Sequence, residues 1–385
     1  MNEAQLPLPE PPHTFRDDVR GFFAFARRDH AMRLRLSVAA GLALGAGLFL
    51  VLRQIPQVAD LVGGSGRESK LTLQFPPEDD HRPRRNVDGV RVDSGSENPR
   101  LLSVMVENMV DARPISGLAG ASLVFEAPVE AGITRMLAVY PASSDVVEIG
   151  PVRSARPYYL DWAAELDALF AHVGGSPEAL ARIPLMDLDD LNEFSRGRYF
   201  WRSSKRSAPH NVYTSTEVLR QAVLDLELNS QPDAGRWVFK NDAKSADRPS
   251  SQEITVPFSS ESYKVSWQYD RDSNSYDRYQ AGALHRDKDG SPIVAKNLVV
   301  VYTDIEVIDE EGRRRIRTTG SGQAVVFLDG KAHEVEWRKK DNEDRLRFYL
   351  SDGDLPDGSQ VEVEWNAGPT WIEIVPKSTR VVYNE

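Results

Sequence analysis

Cysteine is absent from the 385 residues. Its absence excludes disulfides, thiolate metal sites, a cysteine nucleophile and a lipid carried on an N-terminal cysteine. Positive charge is in deficit as well, with 47 Lys and Arg against 58 Asp and Glu, for a net charge of −11. Binding to nucleic acid needs a basic surface that displaces counterions from phosphate, so no nucleic-acid partner is expected. No HExxH, P-loop or dinucleotide glycine pattern occurs, and Ser176 lies in no G-x-S-x-G elbow. Neither a cofactor nor a metal site is expected on that basis. What is present is 41% hydrophobic residues, enough for two domains of ordinary size.

One apolar run stands out, LSVAAGLALGAGLFLVL from Leu36 to Leu52, extended by Arg53-Gln54-Ile55 if Arg53 snorkels. Arg20, Arg27, Arg28, Arg33 and Arg35 precede it against Asp29, whereas Arg53 to Gly66 carry only Arg53 and Asp60. That bias predicts a single-pass anchor in the cytoplasmic membrane, with the N-terminus inside and the bulk extracytoplasmic. A buried core helix would need a polar face, and a cleaved signal peptide would need a shorter leading region and a small-x-small site after Leu52. Gly41 and Gly45 form a GxxxG through which two such helices could approach.

The fold class expected is α+β, with a transmembrane helix, then a mixed α/β domain, then a mainly antiparallel β domain. Residues 1–35 read as a cytoplasmic tail, 36–55 as the anchor and 56–97 as a flexible tether of Gly, Ser, Pro and mixed charge. Within the tether, Arg82, Arg84 and Arg85 read as a solvated basic cluster. The α/β domain spans 98–240, with strands in LLSVMVEN, SLVFEAPV, TRMLAVYP and ALFAHVGG. Helices are expected after a cap at Ser154, after Ser176-Pro177-Glu178, and after a capping box at Thr214-x-x-Glu217. Polar, turn-rich residues 240–252 mark a boundary, beyond which 253–378 alternate apolar and polar residues as strands. Trp237, Trp267, Trp337, Trp365 and Trp371 fall in strand-like segments and read as core.

Several runs are specific in combination. They are Glu107-Asn108, Ala112-Arg113-Pro114, Glu126-Ala127-Pro128-Val129-Glu130, Gly132-Ile133-Thr134-Arg135, Gly150-Pro151-Val152-Arg153-Ser154-Ala155-Arg156-Pro157, His172-Val173-Gly174-Gly175-Ser176 and Ala208-Pro209-His210-Asn211. Later come Tyr276-Asp277-Arg278, Gly320-Ser321-Gly322-Gln323, Asp329-Gly330 and Gly368-Pro369-Thr370-Trp371-Ile372-Glu373. Over residues 98–378 the chain resembles the YerB-like family of bacterial extracytoplasmic two-domain proteins. The resemblance implies a secreted or lipid-anchored protein without an established activity. In this chain, which lacks cysteine, the apolar helix would replace the lipid.

The first set of runs holds the candidate chemistry. For ligand binding the residues are Glu107, Asn108, Arg113, Arg135, Arg153, Arg156, Ser176 and Asn211, because arginine forks and a serine-capped turn suit carboxylate or phosphate. For catalysis they are Glu126, Glu130, His172 and His210. On one strand, Glu126 and Glu130 would face the same way and could divide acid and nucleophile roles. The bland alternative pairs the arginines with the glutamates as topology-fixing ion pairs and leaves the histidines bonded to backbone. The function expected is that of an extracytoplasmic binding or scaffold protein with a polar cleft, its partner a cell-wall polymer or an envelope protein. A polymer-processing hydrolase and a purely structural docking protein are the alternatives.

Overall fold

The computed structural model describes residues 80–228, 234–354 and 360–384. The anchor expected at 36–55 lies outside them. Among the described residues no helix is long and apolar enough to cross a membrane.

From the first half come β1 (Leu101–Val106), β2 (Leu123–Pro128), β3 (Thr134–Pro141), β4 (Leu169–His172) and β5 (Asp190–Asn192). The helices are α1 (Pro157–Ala164), α2 (Pro177–Arg182) and α3 (Thr216–Asp225). The second half contributes β6 (Glu253–Pro257), β7 (Lys264–Asp270), β8 (Ser275–Gln280), β9 (Asn297–Thr303), β10 (Gly320–Leu328) and β11 (Lys331–Lys339). It continues with β12 (Arg347–Asp354), β13 (Gln360–Glu362), β14 (Thr370–Pro376) and β15 (Val382–Tyr383).

The two halves share one sheet. Its eleven strands run β13-β12-β11-β10-β9-β14-β2-β3-β1-β4-β5, so β14, near the end of the chain, pairs with β2 of the first half. β14 runs parallel to both neighbours, unlike the antiparallel pattern that alternation suggests for the second half. The physical reason is two-sided burial: six of its seven residues are buried, so β14 has to sit inside a sheet rather than at an edge. Successive residues feed opposite cores. Phe125 and Ile372 face one, while Val124 and Trp371 face the other.

α1 covers the first core, with Trp162 stacked on Phe125 at 5.3 Å. The second core is closed by α3 and by β6 to β8, whose Val256, Val265, Trp267 and Tyr276 are buried there. All five tryptophans singled out from the sequence are buried.

Local capping signals shift in two places and hold in one. α1 is capped at Arg156, with Pro157 in its first turn, rather than at Ser154, whose carbonyl is held by Arg135. Ser176 does cap α2, accepting from Ala179 N at 3.3 Å. For α3 the cap is Ser215, accepting from Val218 N at 3.2 Å, one residue beyond the expected Thr214; Thr214 Oγ1 donates instead to the Tyr199 carbonyl.

The tether assignment also needs correction at its C-terminal end. Asp88 is buried, pairs with Arg85 at 2.6 Å, accepts from Ser122 Oγ at 2.5 Å, and its carbonyl accepts from Gly368 N at 2.8 Å. The polar composition of this segment reflects bonds to both halves, which hydropathy alone cannot distinguish from solvation.

Candidate functional site

The seam between β2 and β14 carries the densest buried polar cluster. Parallel register sets Leu123 beside Thr370 and, three residues on, Glu126 beside Glu373. Both carboxyls are fully buried. Glu126 Oε1 accepts from Thr134 Oγ1 at 2.6 Å and Asn108 Nδ2 at 3.3 Å, and its Oε2 accepts from Arg278 Nη2 at 2.6 Å. Glu373 Oε1 accepts from Trp267 Nε1 at 2.9 Å, whereas its Oε2 has no donor among the described residues.

Arg278 is sandwiched, its guanidinium 5.8 Å from the Trp267 ring and 4.7 Å from the Trp371 ring. A second guanidinium nitrogen donates to His285 Nδ1. Burial, then the charge of Arg278, push the His285 imidazole well below its usual range, so it is neutral and accepts that bond. Gln280 Nε2 and Arg113 Nε donate to Asn108 Oδ1 at 3.1 and 3.2 Å, which closes the network. One cation thus serves two facing carboxyls. Burial first, then the Glu126 charge, hold the Glu373 carboxyl well above the carboxylate range, so the pair keeps one proton between them.

A second cluster is open to solvent. Glu130, Ser154, Arg156, Gly175, Ser176, Pro177, Glu311 and Arg313 line a groove of about 330 Å³, and Arg313 pairs with Glu311 at 3.1 Å. Arg156 forks onto Glu130 at 2.6 and 2.8 Å. Burial pushes the Glu130 carboxyl up, but this fork outweighs it and leaves the group below its ordinary value. Arg135, outside the groove's lining, is 4% exposed and donates to the Ser154 carbonyl at 2.8 Å. Among the described residues it has no carboxylate within ion-pair distance, and its Nε has no hydrogen-bond partner. Burial, then repulsion from Arg156, push its pKa down.

A third group lies beside it. Buried Glu107 pairs with Arg153 and accepts from His210 Nδ1 at 3.2 Å, and Arg153 Nη1 donates to the Pro209 carbonyl at 3.1 Å.

The structure therefore brings together Glu130, Arg156 and Ser176, and separately Glu107, Arg153 and His210. Glu126, Asn108 and Arg113 belong to the seam. Asn211 stands apart, accepting from Arg202 at 3.2 Å, and so does His172, sealed between the Gly174 carbonyl and Asp190, each at 2.6 Å. Glu126 and Glu130 are not brought into one cleft, because a 3-10 turn over Glu130–Gly132, with Ala131 at φ 56°, breaks the strand after Pro128. Same-face alternation stops where the strand stops.

Arg278, Gln280, Trp267 and Glu373 carry the seam, yet the sequence assigns them no role. The available signal is a carboxylate at the centre of TWIEIVP, a strand otherwise too apolar to carry a charge to solvent.

Fold and site together define a class: an α/β half and a mainly β half joined by an interleaved strand and sealed by a buried carboxyl pair, with a separate groove lined by arginines and glutamates. The chain belongs to the family described as "Protein of unknown function (DUF3048)", whose N-terminal domain matches residues 88–229 and whose C-terminal domain matches residues 254–372. It is 30% identical over 292 residues, 75% of this chain and 85% of the other, to the protein named "Putative lipoprotein YerB" of Bacillus subtilis (strain 168). The crystal structure of YerB from Bacillus subtilis superposes with a TM-score of 0.68 at 27% identity, covering 79% of this chain and all of that one (100%). The YerB-like resemblance drawn from the motifs is borne out.

Proposed function

We propose that this chain is a membrane-anchored, extracytoplasmic binding protein of the bacterial envelope, whose arginine-lined groove takes an anionic segment of a wall polymer. The observation that carries the reading is Arg156, a guanidinium that lines a solvent-open groove with Arg313 and Ser176 and whose fork onto Glu130 a bound anion can replace. A guanidinium fork suits a carboxylate or phosphate, and a bound anion would compete with Glu130 for it. The address rests on the arginine-flanked run at 36–55 and on the relative's name as a lipoprotein. Binding is preferred to polymer hydrolysis because Glu126 is sealed in the seam and Glu130 is held by Arg156.

Co-sedimentation of the full-length chain, in detergent, with isolated wall sacculi tests the reading. Arg156→Ala is expected to weaken binding about tenfold, the loss of one charge-assisted contact worth about 1.4 kcal/mol. Glu130→Gln is expected to strengthen it, because Arg156 loses its internal competitor. Equal retention of the wild type and both variants, or no retention of any, would remove the groove from consideration. A periplasmic or surface reporter fused after Glu385 checks the address independently, and a cytosolic signal would overturn it.

A further inference from the structure

A larger cavity, of about 810 Å³, lies between the halves and shares no lining residue with the groove. Its size is within the range of pockets that hold small ligands, roughly 300–1,000 Å³. Its electrostatics are divided by depth.

At the floor, Glu165 is fully buried between two cations, Lys339 Nζ at 3.0 Å and Arg345 Nη1 at 3.3 Å. Lys339 is itself fully buried and donates to the Asn342 and Asp344 carbonyls at 2.9 and 2.5 Å. Two cations against one carboxylate leave the floor with an excess positive charge. Arg345 lies flat on Trp237, 4.2 Å from the ring centroid, and lines the cavity while 7% exposed. Its Nε has no hydrogen-bond partner among the described residues. Burial pulls its pKa down to about 10, the direction expected of a guanidinium that lacks sufficient counter-charge.

At the rim the unpaired charges reverse in sign, because Arg338, Lys340 and Arg347, which also line the cavity, pair with Glu336, Asp341 and Glu362. Asp187, from the first half, and Glu343 and Asp344, from the second, line the same cavity and are exposed. None of the three carboxylates makes an ion pair among the described residues. An anion alone would be favoured at the floor but repelled on the way in. A cation alone would be held at the rim and repelled by Arg345. A molecule with both charges satisfies both levels.

We infer that this cleft binds a free amino acid or short peptide as a zwitterion, its carboxylate on Arg345 and its ammonium among Asp187, Glu343 and Asp344. The planar guanidinium suits bidentate capture of a carboxylate. The cleft and the groove would therefore read different chemistry, and this inference does not rest on the groove's role.

Titration calorimetry of the full-length chain in detergent, with alanyl-alanine, its C-terminal amide and its N-acetyl form as probes, tests the inference. The free dipeptide is expected to bind, and the two capped forms to bind at least tenfold more weakly. Arg345→Lys should weaken the free dipeptide at least tenfold by losing the fork while keeping the charge. Asp187→Asn, an exposed substitution that leaves the fold intact, should weaken the free dipeptide several-fold and leave the N-acetyl form unchanged. Arg156→Ala should have no effect on either. Equal affinity for free and amidated dipeptide, insensitivity to Asp187→Asn, or no heat from the free dipeptide at millimolar concentration would each overturn the inference.

Discussion

Replacing Arg278 with methionine is expected to lower the unfolding free energy by about 3–5 kcal/mol, the range for removing one partner of a buried ion pair. The guanidinium is fully buried, donates to Glu126 at 2.6 Å and to His285, and is held between two indole rings. Methionine fills much of the volume but neutralises neither carboxyl. Glu126 would keep its Thr134 and Asn108 bonds while losing the cation that makes its charge tolerable in the core. The double variant Arg278→Met with Glu126→Gln should recover part of the loss, since no unpaired charge remains. Urea denaturation of the four proteins of that cycle gives the coupling energy directly. A single variant within about 1 kcal/mol of wild type, at the level of an exposed pair, would mean that Arg278 does not neutralise the seam.

The second large effect concerns pH. Glu373 is held above its unfolded value by burial and by the Glu126 carboxyl, so above the ordinary carboxylate range the native state binds a proton that the unfolded chain has released. Stability then falls as pH rises, by about 1.4 kcal/mol per unit, until the native group itself ionises. Glu373→Gln removes that titration. The amide can still accept from Trp267 Nε1 and can present an N–H to Glu126, so the geometry in the register pair is kept. We expect Glu373→Gln to be less pH-dependent than wild type from pH 5 upward, and to gain stability relative to wild type as pH rises toward 8. Thermal or denaturant midpoints across that range provide the measurement. Parallel pH profiles for the two proteins would show that Glu373 carries no retained proton.

These two residues also show where reading the sequence stops. Strand positions in the first half follow from short apolar runs, and the start of α2 from a serine cap followed by proline; these are short-range rules, and the structure obeys them. The same rules misplace the caps of α1 and α3 because Ser154 and Thr214 have long-range hydrogen-bond partners that compete with capping. Residues near Asp88 look like linker because polar side chains that bond across a junction have the same composition as side chains that bond water. In the candidate site, Glu130, Arg156 and Ser176 are neighbours as their motifs suggest. Glu126 is drawn away from Glu130 by a turn after Pro128, which periodicity carries through as if the strand continued.

Composition and pattern by themselves determined the absence of thiol chemistry, the family, and the helices and strands. Tertiary structure alone decided that β14 enters the sheet of the first half, that Arg278 meets a glutamate 152 positions away, and that two carboxyls face each other with one cation between them. Local rules act through neighbours a few residues apart. The pairing of distant strands is chosen by the burial of whole faces, and only that choice reveals which charged side chains, like Arg278, meet a counter-ion.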